Sequence, residues 1–439
     1  MPAARIAAAL EARIHSGELP PGARLPTHRD LAHEHGVALN TATRAMRLLA
    51  NRGLVVGEVG RGSYVRPPGH ADGAVLRIEA GPPGLIDLGG NVMPLPGLAE
   101  RFERAARAVL RRGRDTLADY QPHAGRAEDR AAGAAWLARG GYLPYDPARV
   151  VVCAGSQHAT LVALMATTRP GDAVAVEALT WPGVKAAAAA LRLELVPIGL
   201  DAHGLRPREL LRAAVHRHVA AVYLTPTIQN PTSAIMSLRR REEVATLARR
   251  LDFQIIEDDA YGFLAGDDEP PPLAALAPER TWYARTTSKA LTPGLRTAWL
   301  MVPPGEERRA ADLVRATVWM APPLGAAIAS LWVADGTAAR LVVDKRREAG
   351  VRQDMAARAL PPRWGRRTHP NSMHFWVDLP KGLRAADAVR KATDAGVRVT
   401  TGEAFAVASS PNAVRLALGR PLLREDLANA LERLVTAWT

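Results

Sequence analysis

The chain has 439 residues, 48% hydrophobic and 23% charged, enough for more than one domain and for large cores. That balance excludes a disordered chain, a collagen-like chain and a disulfide-stapled mini-protein. Lys and Arg outnumber Asp and Glu by 57 to 44, and the net charge of +13 permits contact with nucleic acid or anionic surfaces without establishing either.

The first helix is predicted over residues 3–16, where Ile6, Leu10 and Ile14 recur at helical spacing until Gly17 and Pro20-Pro21-Gly22. Arg5, Glu11 and Arg13 interrupt its alanines, so it does not read as a secretion signal. Thr27-His28-Arg29-Asp30 has the form of a capping box, and Gly36 supplies a turn. A further helix over residues 40–52 carries Ala42, Met46 and Leu49 on one side. Its other side presents Asn40, Thr41, Thr43, Arg44 and Arg47, suited to phosphates and base edges. Residues 54–65 read as two short strands around a Gly-rich turn that includes Gly60 and Arg61. Helix, turn, helix and hairpin predict a winged helix-turn-helix over residues 1–66, where 9 Arg face 5 acids. A small helical interaction module with a solvated Arg face is the plainer alternative. Residues 67–84, rich in Pro and Gly, read as a linker with a possible strand at 75–78.

Beyond it, apolar runs at 149–153, 173–176, 220–224, 254–257, 281–285 and 298–302 alternate with helical patterns. Strands separated by crossover helices predict a mostly parallel sheet in an α/β domain over residues 85–439. Cys153, the single cysteine, lies in the first of these runs and reads as an inert core thiol. It cannot pair within the chain, and no run of roughly 18 apolar residues occurs. The expectation is a soluble cytoplasmic protein with no membrane partner.

Four places in this domain carry chemistry. Ala154-Gly155-Ser156-Gln157 sits at a strand-to-helix junction, where free backbone N–H groups cradle phosphate, although such turns are common. Asn230, in Gln229-Asn230-Pro231-Thr232, could donate to a phenolate oxygen or simply make an Asn-Pro turn. Ile255-Ile256-Glu257-Asp258-Asp259-Ala260-Tyr261 is a strand ending in acids. Asp258 there suits a protonated ring nitrogen and Tyr261 a ring hydroxyl, while Mg²⁺ or a helix cap would use the same carboxylates. Lys289 follows Thr286-Thr287-Ser288, with Arg296 seven residues on. Only five basic residues are lysines and 52 are arginines, so a retained primary amine suggests Schiff-base chemistry. Thr286, Ser288 and Arg296 could hold a phosphate beside it. No His spacing reads as a metal site: His15, His28, His33 and His35 read as surface, His369 and His374 as structural. Asp267-Asp268-Glu269, beside three prolines, reads as a solvated loop.

Leu25-Pro26 with Arg29, Leu31-Ala32 and Gly36-Val37, then Gly53-Leu54-Val55 and Gly60-Arg61-Gly62-Ser63-Tyr64-Val65, resembles the GntR-type DNA-binding domain. The resemblance implies that Arg29 and the start of the recognition helix (residues 38–44) touch double-stranded operator DNA, with Gly60 and Arg61 on the wing. Leu39 stands where that family often has Arg, leaving one contact missing or supplied by Arg44 or Arg47. The order phosphate loop, Asn-Pro, Asp-x-x-Tyr and Ser-Lys with its following Arg resembles fold-type I pyridoxal-phosphate enzymes of the aspartate aminotransferase class. Together the two parts resemble MocR-type regulators. The resemblance implies pyridoxal 5′-phosphate carried by Lys289, with Asp258 at the pyridine nitrogen and Asn230 and Tyr261 at the phenolic oxygen. It places Gly155, Ser156, Gln157, Thr286, Ser288 and Arg296 around the phosphate. Trp181 takes the place of a ring-stacking Tyr, and Arg415 matches the Arg that clamps a substrate or effector carboxylate. It further implies a small α+β subdomain from about residue 320 and a homodimer in which Tyr120 reaches the partner's phosphate. The function implied is a regulator that senses an amine or amino acid; a working aminotransferase with an accessory DNA-binding head is the alternative.

Overall fold

The computed structural model describes residues 2–20, 22–51, 54–58, 62–65, 84–138, 140–266, 269–362 and 364–439. The wing residues Gly60 and Arg61, nearly all of the 67–84 linker and the expected strand at 75–78 lie outside them.

Three helices, Pro2–His15 (α1), His28–Glu34 (α2) and Leu39–Asn51 (α3), form the head with antiparallel strands Val55–Glu58 and Gly62–Val65. Its core gathers Ile6 and Leu10 of α1, Leu31 of α2, Ala42 and Leu49 of α3, and Val65. The capping box forms: Thr27 Oγ1 accepts the Asp30 N–H and the Asp30 carboxylate accepts the Thr27 N–H, each at 3.2 Å. These bonds satisfy two of the amides that every helix start leaves without partners, so α2 begins where the sequence places it.

Seven strands make the central sheet: Val150–Cys153 (β1), Ala173–Glu177 (β2), Glu194–Ile198 (β3), Val219–Leu224 (β4), Gln254–Asp258 (β5), Thr281–Thr286 (β6) and Ala298–Met301 (β7). Their order is β1-β7-β6-β5-β4-β2-β3, parallel except for β7, which runs against both of its neighbours. Alternate side chains feed cores on opposite faces: Val150 and Val152 pack on one side, Val151 and Cys153 on the other. Burial on both faces explains the unbroken apolar runs. The sequence reading finds six of the seven strands. It misses β3, an edge strand whose residues are mostly half-exposed and which contains Pro197. Cys153 is fully buried, and burial pushes its thiol up to about 12, which makes it inert.

A second, four-stranded sheet orders Gly365–Arg367, His374–Asp378, Ala413–Ala417 and Thr400–Thr401. Helices Ala385–Asp394 and Arg424–Trp438 bury Ala388, Leu427 and Leu431 in its core. Ile86–Asp87 pairs in parallel with Val397–Arg398, and Leu88 enters the same core. The long helix Thr337–Ala359 serves both units, with Leu341 in the large core and Ala356 in the small one. Among the described residues no single helix is long and apolar enough to cross a membrane.

Candidate cofactor and effector site

In an open parallel sheet the carboxyl ends of the strands point at one crevice. Here those ends deliver Gly155 after β1, Asn230 after β4, Asp258 at the end of β5 and Thr286 at the end of β6. Asp258 is buried; its Oδ2 accepts the Tyr223 hydroxyl at 2.8 Å, while its Oδ1 is buried with no partner. Burial raises its carboxyl to about 6, against the lowering effect of the Tyr223 hydrogen bond. Lys289, on the short helix Thr287–Ala290, donates to the Asn91 carbonyl at 2.6 Å. Burial, then the Arg415 charge, brings its ammonium down to about 8, while Asp258 acts in the opposite sense. A lysine so depressed yields a neutral, nucleophilic amine far more readily than one in water. The Tyr261 hydroxyl accepts from Asn91 Nδ2 at 2.8 Å, and burial pushes it up to about 12, so it stays a neutral donor.

Beside this group lies a cradle for an anion. The helix Ser156–Thr167 starts at Gly155 with no side chain capping it, which leaves its first amides for a ligand. Arg296 reaches the same place, with Nη2 on the Ala154 carbonyl at 3.3 Å and Nη1 on Ser288 Oγ at 3.4 Å. Gly155 has φ +89°, and a Cβ there would lie 2.5 Å from the Arg296 guanidinium. The left-handed backbone favours glycine, and any Cβ would have to push the Arg296 guanidinium aside. Thr286 caps the Lys289 helix, accepting the Ser288 N–H at 3.1 Å. Trp181 and the Gln157 side chain both pack on Gly183, where a Cβ would sit 2.2 Å from the indole and 2.3 Å from Gln157 Oε1.

Arg415 closes the crevice from the small sheet. It is 1% exposed, its Nη1 donates to Asn230 Oδ1 at 3.0 Å, its Nη2 to the Gly89 carbonyl, and it lies 4.8 Å over the Phe405 ring. The bond to Asn230 leaves the Asn230 Nδ2 as the amide's donor to the rest of the site. Arg415 Nε is buried without a partner, and burial holds the guanidinium down at about 10.

Residues 83–434 match the model of the aminotransferase class I and II family, most of the chain. The chain belongs to that family. Residues 2–65 match the bacterial regulatory proteins of the gntR family, so this aminotransferase-like chain carries a gntR-type helix-turn-helix head. Its similarity to the HTH-type transcriptional regulator YdeF of Bacillus subtilis, 26% identical, spans both parts, covering 97% of this chain and 92% of that one. A 2-aminoadipate transaminase of Thermus thermophilus is 30% identical over 80% of this chain and 89% of its own. Among solved structures, an alpha-aminoadipate aminotransferase from Thermus thermophilus, complexed with N-(5′-phosphopyridoxyl)-L-leucine, superposes with TM-score 0.74. It is 26% identical, covering 81% of this chain and 92% of that one.

Two features of this aminotransferase-like domain fit pyridoxal 5′-phosphate. The partnerless Asp258 Oδ1 suits a protonated ring nitrogen, and the space at Gly155 beside Arg296 suits a phosphate. Tyr120 is not brought to the crevice within the chain. It is 76% exposed, its ring edge-on to Trp319 at 6.0 Å.

Two residues of the site, Asn91 and Tyr223, escape the sequence reading. Asn91 holds Lys289 through its carbonyl and Tyr261 through its amide. Tyr223, which holds Asp258, left one unused signal: it is the one side chain with a polar tip in an otherwise aliphatic strand. His374, expected to be structural, is fully buried within the site's supporting layer. Its Nδ1 meets Asn91 Nδ2 at 3.0 Å and its Nε2 the Gln229 carbonyl at 3.1 Å, which assigns the proton to Nε2. Burial brings it down to about 3, so the ring is neutral. The reading of Glu269 as solvated needs correcting; Asp267 and Asp268 lie outside the described residues. Glu269 is only partly exposed, and burial raises it to about 7, beside Asp259 and Arg285.

In the head, Arg29, Asn40, Arg44 and Arg47 are exposed and Thr41 and Thr43 half-buried. Thr43 Oγ1 sits 3.3 Å from His28 Nδ1, tying the recognition helix to α2. Leu39, the first residue of α3, is 46% exposed.

Proposed function

We propose that this chain is a DNA-binding transcription regulator that uses a pyridoxal-phosphate-loaded domain to sense an amine or amino acid and to dimerise. One observation carries the reading: a head with an exposed polar recognition helix shares its chain with a buried crevice prepared for the cofactor. Bound there, the cofactor supplies an electrophilic aldehyde carbon and an electron-withdrawing ring.

The chain's own residues do the rest. Lys289 holds the cofactor and, as a neutral amine, yields its place to an incoming amine. Asp258 keeps a proton on the ring nitrogen, with Tyr223 fixing its orientation. Tyr261 and the Asn230 amide donate to the phenolic oxygen. The amides of Gly155, Ser156 and Gln157, with Thr286, Ser288 and Arg296, bind the phosphate, and Trp181 covers the ring. Arg415 receives an effector carboxylate through its unused Nε. In a homodimer, Tyr120 reaches the partner's phosphate, and the exposed Tyr120–Trp319 pair supports a covered face there. Arg29, Asn40, Thr41, Thr43, Arg44, Arg47 and the wing residues Gly60 and Arg61 meet operator DNA. The setting is the cytoplasm, where such DNA is found.

A regulator requires that the bound amine favour one arrangement of the dimer over another. The test is a screen of amines for one that changes both the cofactor's visible absorption and operator affinity in the full-length protein. The second reading, a working aminotransferase, is favoured by the readily neutralised Lys289. Sustained keto-acid production from several amino donors, with operator affinity indifferent to cofactor and amine, would decide for it.

A further inference from the structure

We propose that Lys345 is a positioning residue for Lys289, anchoring the turn that carries it and setting a second positive charge behind it. Lys345 lies on the long helix Thr337–Ala359 and is fully buried. Its ammonium donates to the carbonyl of Lys289 itself at 2.9 Å and to that of Leu291 at 2.8 Å. These are carbonyls at the end of a four-residue helix that is too short to satisfy them from within. A cation suits a helix C-terminus, so the anchor is favourable there.

The position is costly for stability alone. The charge acting on Lys345 is the like charge of Lys289, and the ammonium's hydrogen bonds go to carbonyls rather than to a carboxylate. A methionine has a similar length and would fill the space without a charge to bury. Arginine dominates this chain 52 to five, yet two of its five lysines meet here. Lysine differs from arginine in being able to lose its proton near neutrality once buried. Burial brings Lys345 down to about 7.

The surrounding charges can be named. Lys289 faces Lys345 from its own turn, and around Lys289 stand Asp258, Arg296, Arg415 and Arg420. On the same helix Asp344 and Arg346 flank Lys345, and Glu348, one turn on, is engaged with Arg352 and Arg424. Of the elements packed on this helix, Pro323–Ala334 and Gly262–Leu264 carry no titratable side chain, and Arg424–Trp438 brings Arg424, Glu425, Asp426, Glu432 and Arg433. A charge on Lys345 opposes a proton on Lys289, and with Lys345 brought down to about 7 and Lys289 to about 8 it does so only while Lys345 keeps its own proton.

This inference rests on Lys289 as the cofactor lysine, and the two fail separately. Full-length protein loaded with pyridoxal phosphate is titrated with pH while its visible absorption is followed. Lys345→Arg keeps its charge through the whole titration, so its midpoint is expected about half a unit or more below wild type. Lys345→Met and Lys345→Gln, with no charge, should lie at or above wild type. A Lys345→Arg midpoint at or above wild type would overturn the proposal and leave Lys345 a structural residue. A neutral variant whose midpoint falls below wild type would overturn it as well. A visible band that survives in Lys289→Ala overturns the cofactor assignment instead.

Discussion

The recognition helix of the head and the crevice of the large domain hold their functional groups in opposite ways. On α3, Asn40, Arg44 and Arg47 stand exposed, and the hydrogen bond that ties the helix to α2 comes from the half-buried Thr43. In the crevice, Asp258, Lys289, Tyr261 and Arg415 are each tied to another buried group, by Tyr223, Asn91, Asn91 again and Asn230. The head leaves its side chains to be ordered by the DNA, at an entropic cost borne on binding. The crevice is ordered in advance, with its costs carried in folding. Substitutions should therefore act steeply in one region and gradually in the other.

The steepest expected effect is at Lys289. On the proposed reading Lys289→Ala removes the amine that carries the cofactor, and the visible absorption of the linked cofactor should vanish. Band-shift assays with the same variant should show that the head still binds DNA; loss of both would break the separation of the two regions. Gly155→Ala comes next. The new Cβ overlaps Arg296, and cofactor affinity measured by equilibrium dialysis should fall roughly 100-fold, about 2.7 kcal/mol. An unchanged affinity would mean that this cradle does not hold the phosphate.

The third prediction concerns pH. His374 falls from 6.5 to about 3 in the folded chain. Below pH 6.5 the unfolded chain takes up the proton first, so the neutral ring's contribution, complete above that pH, drains away as pH drops toward 3. Between pH 7 and pH 5 the wild type should lose about 2 kcal/mol relative to His374→Gln, read from urea transitions of the full chain. Parallel pH profiles of the two proteins would show that the histidine is not held neutral. The smallest effect is expected at Arg44, where a single exposed phosphate contact is at stake. Arg44→Ala should weaken operator binding only a few-fold and lower the slope of log affinity against log salt by about one. A hundredfold loss there would erase the contrast between the regions.

The same contrast decides what could be read from sequence. Strands buried on both faces announce themselves as apolar runs, and β1, β2, β4, β5, β6 and β7 are found that way. The edge strand β3, half-exposed and containing a proline, carries no such signal. Residues whose chemistry is intrinsic to their type were legible: a lysine among arginines, an acid ending an apolar strand, a glycine before a helix. Asn91 and Lys345 were not, because their roles come from partners far away in the chain. Asn91 meets Tyr261 170 residues on and Lys345 meets Lys289 56 residues back. Glu269 was misread for the same reason: its neighbours in sequence are polar and its neighbours in space are buried.

The pairing of Ile86–Asp87 with Val397–Arg398 fixes where the chain first joins the large domain after the linker. The polypeptide that descends from the head is moored to the small unit, not to the seven-stranded sheet. Arg415 is built on that same unit, on the strand next to Thr400–Thr401. The guanidinium and residue 86 therefore stand on one packed unit, so whatever sits against Arg415 and whatever pulls on the start of the large domain meet the same small core.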